Sequence, residues 1–297
     1  MKILNFGSIN IDNFFSVDHI VRDGETIDSK FYEEKLGGKG LNQSIALAKV
    51  SKDVYHAGKL NIKDDFILEY LKENKVDTRY IKKTQALTGS AFIQVDKNGE
   101  NSIVLDHGAN YQMDYQFIDE VLNNFERGDI LLIQNEINNL AYLIDKAFDK
   151  GMFIVLNPSP INEALLNLDL NKLNMLIMNE GEAKDICKLN LEEEIIEKLK
   201  TYYKNLKVVI TYGKSGSIYF DSAITLRQKA YKVDVVDTTG AGDTFTGFLV
   251  GLMANDYPIK AALNYAALAA SLAVKVKGAS NSIPNFDKVE EFLKESI

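Results

Sequence analysis

The chain has 297 residues, 46% of them hydrophobic, and 34 basic against 42 acidic residues give a formal net charge of −8. That length and apolar fraction can bury a substantial core, in one large α/β domain or two smaller ones, while interspersed charges leave no electrostatic footprint for nucleic acid. The single cysteine, Cys187, excludes an intrachain disulfide framework. No apolar run reaches the roughly 18 residues of a membrane span, and the opening MKILNFGSINID reads as a core strand, so a cytoplasmic protein with no nucleic-acid or membrane partner is expected.

Short β-branched runs then alternate with segments of helical period. KILNFG precedes the helical LNQSIALAKV, and DILLIQNE precedes NLAYLIDKAFDK; FIVLNPSP, LNMLIMN with EGEAKDICKL, LKVVITYG and a helix after GAGD follow. This order predicts a mostly parallel sheet between helices. ILLI, FIVL, MLIM and VVI are apolar at consecutive positions, as strands covered on both faces must be. Ligands of such sheets sit at the carboxyl ends of the strands. Two stretches break the pattern: residues 11–35 alternate polar and apolar without a helix, and GSAFIQVDKNGENSIVLD, 89–106, reads as a hairpin around DKNGE. Together they predict a small projecting β-sheet on an otherwise single domain spanning 1–297. Its apolar Phe14, Phe15, Phe31 and Tyr32 suit a cover over a cleft, a subunit contact, or both.

Three glycine-containing runs could hold phosphate. TYGKSGS lacks the first glycine of a P-loop, because Val208 stands there. DTTGAGDTF supplies only two of the three glycines of a dinucleotide fingerprint, and it lies late in the chain. Small residues at a helix start instead let the N–H groups of 240–243 face one anion, with the helix dipole behind them. Asp243, on the first turn, could accept a proton from an attacking hydroxyl, or merely cap the helix. Phe245, Phe248, Leu249 and Leu252 follow at core-facing spacing. LGGKGLNQS, 36–44, offers Lys39 and Asn42 for hydroxyls, or a flexible loop and cap. In MNEGEAKDI, Asn179 and Glu182 form either a capping box or a holder for a hydrated Mg²⁺ on a nucleotide. Glu136 ends its strand at the same edge. His19, His56 and His107 are too scattered for a metal cluster and are expected on the surface or lid. Cys187 is expected as a small buried hydrophobe on a helix, and Tyr202 and Tyr203 as packing at a helix end.

Taken together, GSINID (7–12), GET (24–26), GGKGLNQS (37–44), NPSP (157–160), MNEGEA (178–183), TYGKSG (211–216), DTTGAGDTF (237–245) and KGASNSIP (277–284) resemble the ribokinases of the PfkB carbohydrate kinase family. The likeness is collinear from residue 3 to about 284. It implies a three-layer α/β/α sandwich, a β lid that commonly makes a homodimer, and ATP-dependent phosphorylation of a pentose, with D-ribose giving ribose 5-phosphate. By the resemblance, Asp243 is the base and Gly240, Ala241 and Gly242 form the anion hole. Asn10, Asp12, Gly38, Lys39, Asn42 and Glu136 would hold the sugar, and Asn179, Glu182, Thr211, Gly213 and Gly216 the Mg²⁺-bound ATP. A monovalent cation, K⁺, would take Asp237, Thr239, Ala273, Val276, Gly278 and Ser282, mostly through backbone carbonyls. The chain departs from the family in KLNIKDDFI after DVYHAG, in Ala267 near the adenine, and in Phe248 within the signature. The alternatives left open are another acceptor (deoxyribose, fructose, pseudouridine or adenosine) and a sugar-binding sensor without catalysis.

Overall fold

The computed structural model describes residues 1–295. The first half of the chain runs β1 (Ile3–Phe6), β2 (Asn10–Ser16), β3 (Phe31–Gly37), α1 (Lys39–Ala48), β4 (Val54–Asn61), α2 (Asp65–Glu73), β5 (Asp77–Thr84), β6 (Gly89–Val95), β7 (Asn101–Asp106) and α3 (Tyr115–Leu122). It continues through β8 (Ile130–Gln134), α4 (Leu140–Asp149), β9 (Phe153–Asn157), α5 (Glu163–Leu166), β10 (Met175–Asn179), α6 (Glu180–Cys187) and α7 (Glu192–Tyr202). β11 (Lys207–Thr211), β12 (Ser217–Phe220), β13 (Thr225–Gln228), α8 (Ala241–Ala254), α9 (Ile259–Ala273) and α10 (Phe286–Glu295) complete it.

Nine strands form one sheet in the order β13-β12-β11-β10-β9-β8-β1-β4-β5. Every pairing from β5 to β11 is parallel, and β12 and β13 add an antiparallel edge. Successive strand residues serve opposite faces, which explains the unbroken apolar runs. Ile130 and Leu132 join the core under α1, α2, α8 and α9, whereas Leu131 and Ile133 join the core under α3, α4, α6 and α7. β2, β3, β6 and β7 form a separate four-stranded sheet, β3-β2-β6-β7, with one parallel pair, β2 with β6. Its hairpin turns where the Asp96 carboxylate accepts from the amides of Asn98 and Glu100 at 2.8 and 2.9 Å. Residues 17–30, expected within this sheet, carry no strand.

Two expectations are corrected. His56 is not at the surface: it lies inside β4, fully buried, with Ser44 Oγ 2.8 Å from Nδ1. Tyr202 does not pack, because it faces outward at the last turn of α7 with 70% exposure, while Tyr203 meets the core. Cys187 is buried on α6 as expected.

Helices α1 and α8 approach closely because α8 places glycine one turn apart on the shared face. A methyl group on Gly247 would overlap Ala46 Cβ and stand 2.9 Å from Gln43 O; on Gly251 it would reach Val50 Cγ2 at 2.5 Å. Gly247→Ala is therefore expected to destabilise the fold by about 1–3 kcal/mol through overpacking. A urea midpoint that falls with an unchanged slope would register it.

Candidate functional site

The carboxyl ends of the central strands, the start of α1 and the start of α8 meet at one cleft. α8 begins after Gly240, which adopts φ 73° and ψ 2°. A side chain there would be strained by the left-handed backbone and would press its Cβ to 2.9 Å from Ala279 Cα. Among the described residues the amides of Gly240, Gly242 and Asp243 take no partner, while Ala241 N–H donates to Thr238 O at 3.3 Å. The amides of 240–243 were expected to face one anion together; Ala241's is drawn partly into the preceding turn. A Cβ on Gly242 would meet no protein atom within 4 Å, so the space it spares belongs to the cleft.

Asp243 lies deep in the cleft, where Asn42 Nδ2 donates to its Oδ2 and Gln43 Nε2 to its Oδ1, both at 2.9 Å. Desolvation pushes its pKa up; the Lys39 charge and the two amide donors oppose that. With Nδ2 committed to Asp243, Asn42 Oδ1 is buried and unpartnered, an acceptor for a hydroxyl. Lys39 reaches Glu136 Oε1 at 3.4 Å, and its own amide donates to Oε2 at 3.0 Å. Burial alone would lower the Lys39 pKa, but the Glu136 and Asp243 carboxylates outweigh it and hold the ammonium charged. Ser8 Oγ also bonds Glu136.

From the lid, Asn10 and Asp12 point into the same space. Asn110 Nδ2 donates to Asn10 Oδ1 at 2.8 Å, which fixes the Asn10 amide. Asp12 is half-buried in the wall of this space and near Glu136, and its pKa is raised to about 7, desolvation being the main cause and Glu136 the next. Two cavities result. The larger, about 710 Å³, is lined by Asn10, Asp12, Gly38, Asn42 and Glu136. The smaller, about 190 Å³, is lined by Asn179, Glu182, Thr211, Gly242 and Thr246. They share Lys39, Gly240 and Asp243.

Asn179 and Glu182 do form a capping box: Asn179 N–H donates to Glu182 Oε2 at 2.8 Å and Glu182 N–H to Asn179 Oδ1 at 2.9 Å. The second oxygen of Glu182 has no bonded partner among the described residues and is free to face a nucleotide-bound Mg²⁺. Among those residues, no three His, Cys, Asp or Glu side chains cluster to hold a metal alone. Gly213 and Gly216 sit on the turn after β11 and do not line either cavity. Asp237 gathers Thr239 and Gly278, accepting from the Thr239 amide and hydroxyl through Oδ1 and from Gly278 N–H at 2.9 Å through Oδ2. The carbonyls of Asp237, Thr239, Val276 and Gly278 accept no recorded bond among the described residues, a donor set suited to a monovalent cation. Ala273 O accepts from Val276 N–H at 3.0 Å and keeps one lone pair, and Ser282 Oγ donates to Ala279 O at 2.7 Å and keeps its lone pairs. Of the departures, Ala267 and Phe248 are buried on α9 and α8; in the 59–67 run Asn61 N–H donates to Thr88 Oγ1 at 2.9 Å, tying the loop down.

Gln43, Ser8, Asn110, Asn157 and Gln134 all belong to this polar cluster and were not singled out from the sequence. The one available signal was adjacency, since Ser8 lies inside GSINID and Gln43 follows Asn42.

The pattern of the pfkB family carbohydrate kinases matches residues 1–285. The chain is 33% identical to a ribokinase of Staphylococcus aureus (strain COL) over 301 residues, 98% of this chain and 99% of that one. A ribokinase structure from Cryptococcus neoformans var. grubii serotype A in complex with ADP superposes with TM-score 0.85 at 32% identity, over 98% of this chain and 99% of the other. A ribokinase from Arabidopsis thaliana complexed with ribose and ATP gives 0.85 at 28% identity, over 99% and 98%. With its Asp243 cleft under a four-stranded lid and a family match over nearly its whole length, the chain belongs to the pfkB family of carbohydrate kinases.

Proposed function

We propose that this protein transfers the γ-phosphate of ATP to the terminal hydroxyl of D-ribose, giving ribose 5-phosphate and ADP. The observation that carries the reading is the junction of the two cavities at Lys39, Gly240 and Asp243. A sugar in the larger cavity and a triphosphate in the smaller one meet at the single carboxylate both can reach. Asp243 takes the proton from the sugar hydroxyl as that oxygen attacks phosphorus in line, and the bond to the β–γ bridging oxygen breaks. The unpartnered amides of Gly240 and Gly242 face the charge on the moving phosphoryl group, with Ala241 between them. Mg²⁺ bound to the nucleotide neutralises phosphate charge. Asp12, Asn10, Asn42 and Glu136 supply acceptors and donors for a polyhydroxy ligand, which favours a sugar over a nucleobase at this position.

Three further elements belong to this reading. Asp237, Thr239 and Gly278, with neighbouring carbonyls, would hold K⁺ beside the start of α8. The whole chain would act as one α/β unit with its lid, in the cytoplasm; among the described residues no helix is long and apolar enough to cross a membrane. The lid would pair with that of a second copy, because Phe31, Tyr32, Phe92, Ile103, Val104 and Leu105 leave its two faces apolar and exposed. Sedimentation equilibrium should then return twice the chain mass of 33.3 kDa.

ADP release from Mg-ATP, measured with ribose, 2-deoxyribose, fructose, adenosine and pseudouridine, tests the acceptor. Ribose should give the highest kcat/KM, faster in potassium than in sodium, and Asp243→Asn should lower kcat by about 10²–10⁴-fold. A protein that binds a sugar but turns none over would be a sensor instead.

The Asp12 carboxyl yields a second prediction. Its folded pKa of about 7 exceeds the ordinary 3.8, so the fold binds this proton more tightly than the unfolded chain does. Its contribution is complete below the unfolded pKa and is lost as pH rises through about 7, up to about 4 kcal/mol in all. Asp12→Asn should therefore raise the melting temperature of the ligand-free protein, by more at pH 8 than at pH 5.5, while raising the KM for ribose. An equal gain at both pH values would contradict the assignment.

A further inference from the structure

Behind Asp243 lies a row of buried amide side chains whose direction is set from both ends. At one end, Asn5 Nδ2 donates to the backbone carbonyl of Gly40 at 2.7 Å. A carbonyl only accepts, so the Asn5 oxygen must face the other way, and Gln134 Nε2 donates to it at 2.9 Å. The same Gln134 nitrogen donates to Gln43 Oε1 at 2.7 Å, which turns the Gln43 nitrogen toward Asp243 Oδ1, at 2.9 Å. At the other end, Asn157 Nδ2 donates to Ile177 O at 2.9 Å, leaving Asn157 Oδ1 to accept from Gln43 Nε2 at 3.0 Å. Two backbone carbonyls, on opposite sides of the row, thus dictate one orientation for Gln43.

We propose that Gln43 is a positioning residue for the Asp243 carboxylate, presenting a donor and never an acceptor to Oδ1 and so holding the group ionised and in one plane. The proposal rests on the phosphotransfer reading, since it concerns the base of that reaction. Asn42 fixes Oδ2 in the same way, so each carboxylate oxygen spends one lone pair on an amide and keeps another for a hydroxyl. The row can be uninterrupted because Gly7 carries no side chain: a Cβ there would overlap the Gln134 amide and stand 2.7 Å from Gly40 Cα. No ionised group terminates it. Beyond Asn5, Ser44 Oγ joins Asn5 Nδ2 at 2.8 Å and His56 Nδ1 at 2.8 Å, and burial lowers the His56 pKa to about 4, leaving the ring neutral at working pH. The charged groups facing Asp243 are Lys39 from α1, Glu136 from the end of β8 and Asp12 from β2, with Glu182 of α6 acting on Lys39.

The test compares the full-length protein with Gln43→Met, which keeps the length of the side chain and removes the donor. The Asp243 carboxyl carbon, identified by its loss in Asp243→Asn, is titrated by ¹³C NMR without substrate, and ribose kinetics follow across pH. The expected result is an Asp243 midpoint raised by at least about one pH unit. The acid limb of kcat should move with it and kcat fall about tenfold or more, while the KM values for ribose and ATP change far less. Gln43→Glu, closest in shape, serves if the first variant does not fold; it sets a second carboxyl beside Asp243, so the higher of the pair's two midpoints should lie above that of Asp243 in the unsubstituted protein. An unchanged midpoint in either variant overturns the proposal, because a residue that only fills space would leave the titration alone. If the unsubstituted protein phosphorylates no sugar but the midpoint still moves, the kinase reading fails and the control of the carboxylate by Gln43 stands.

Discussion

A carboxylate sunk into protein loses its hydration, and it stays ionised only where donors and a cation replace the water. Asp243 is in that position, and much of the architecture around it can be understood as meeting that demand. Its replacement shell comes from one helical turn: Lys39, Asn42 and Gln43 all lie at the start of α1. That turn must therefore face the start of α8 at short range. Small residues at 247 and 251 allow the two helices to touch, and the apolar residues flanking them, among them Ile45, Phe248 and Leu249, anchor both helices in one core. Stability and chemistry draw on the same contact surface, so the pairing of α1 with α8 has little freedom to vary.

The sheet supplies the second half of the demand. Gln134 and Asn157 stand opposite each other in the register of β8 and β9, on the face that carries Leu132 and Val155. Where those strands run out of apolar residues, the same face continues with amides, so a hydrophobic layer passes without a break into a hydrogen-bonded one. A half-satisfied layer of this kind would cost more than an apolar one. Here most of its groups are paired, with Gln134 Oε1 and Asn42 Oδ1 the unpartnered amide oxygens among the described residues.

The fold was legible because its signals are local. Consecutive apolar residues such as ILLI mark strands covered on both sides, and DKNGE carries its own turn chemistry in Asp96 and Gly99. The GAGD run was also legible, since a helix start that presents amides and a carboxylate needs no distant partner to be recognised. Gln43, Gln134, Asn5 and His56 were not legible. Their significance lies in partners 91 and 129 positions away, for Gln43 with Gln134 and Gln134 with Asn5. A polar residue inside or at the end of a strand looks in sequence like an edge, and nothing local marks His56 as buried. Only the parallel register turns these scattered amides into one row. Gly213 and Gly216, at positive φ, shape the turn that follows β11 beside the cleft.

The polar groups of the larger cavity come from both sides of it. Asn10 and Asp12 lie on β2 of the small sheet, while Asn42 is carried by α1 and Glu136 by the turn just after β8. Among the described residues, one ion pair already spans the same gap farther out, Lys277 with Glu33 at 3.6 Å. A ligand that bonded to both sets of groups would be a strut between them, added to what the empty protein already has in the Asn10–Asn110 bond, the packing of Ile11 and Leu36 on the large core, and that ion pair. Part of the mechanical stiffness would then belong to the liganded complex, with the small sheet braced by the molecule beneath it.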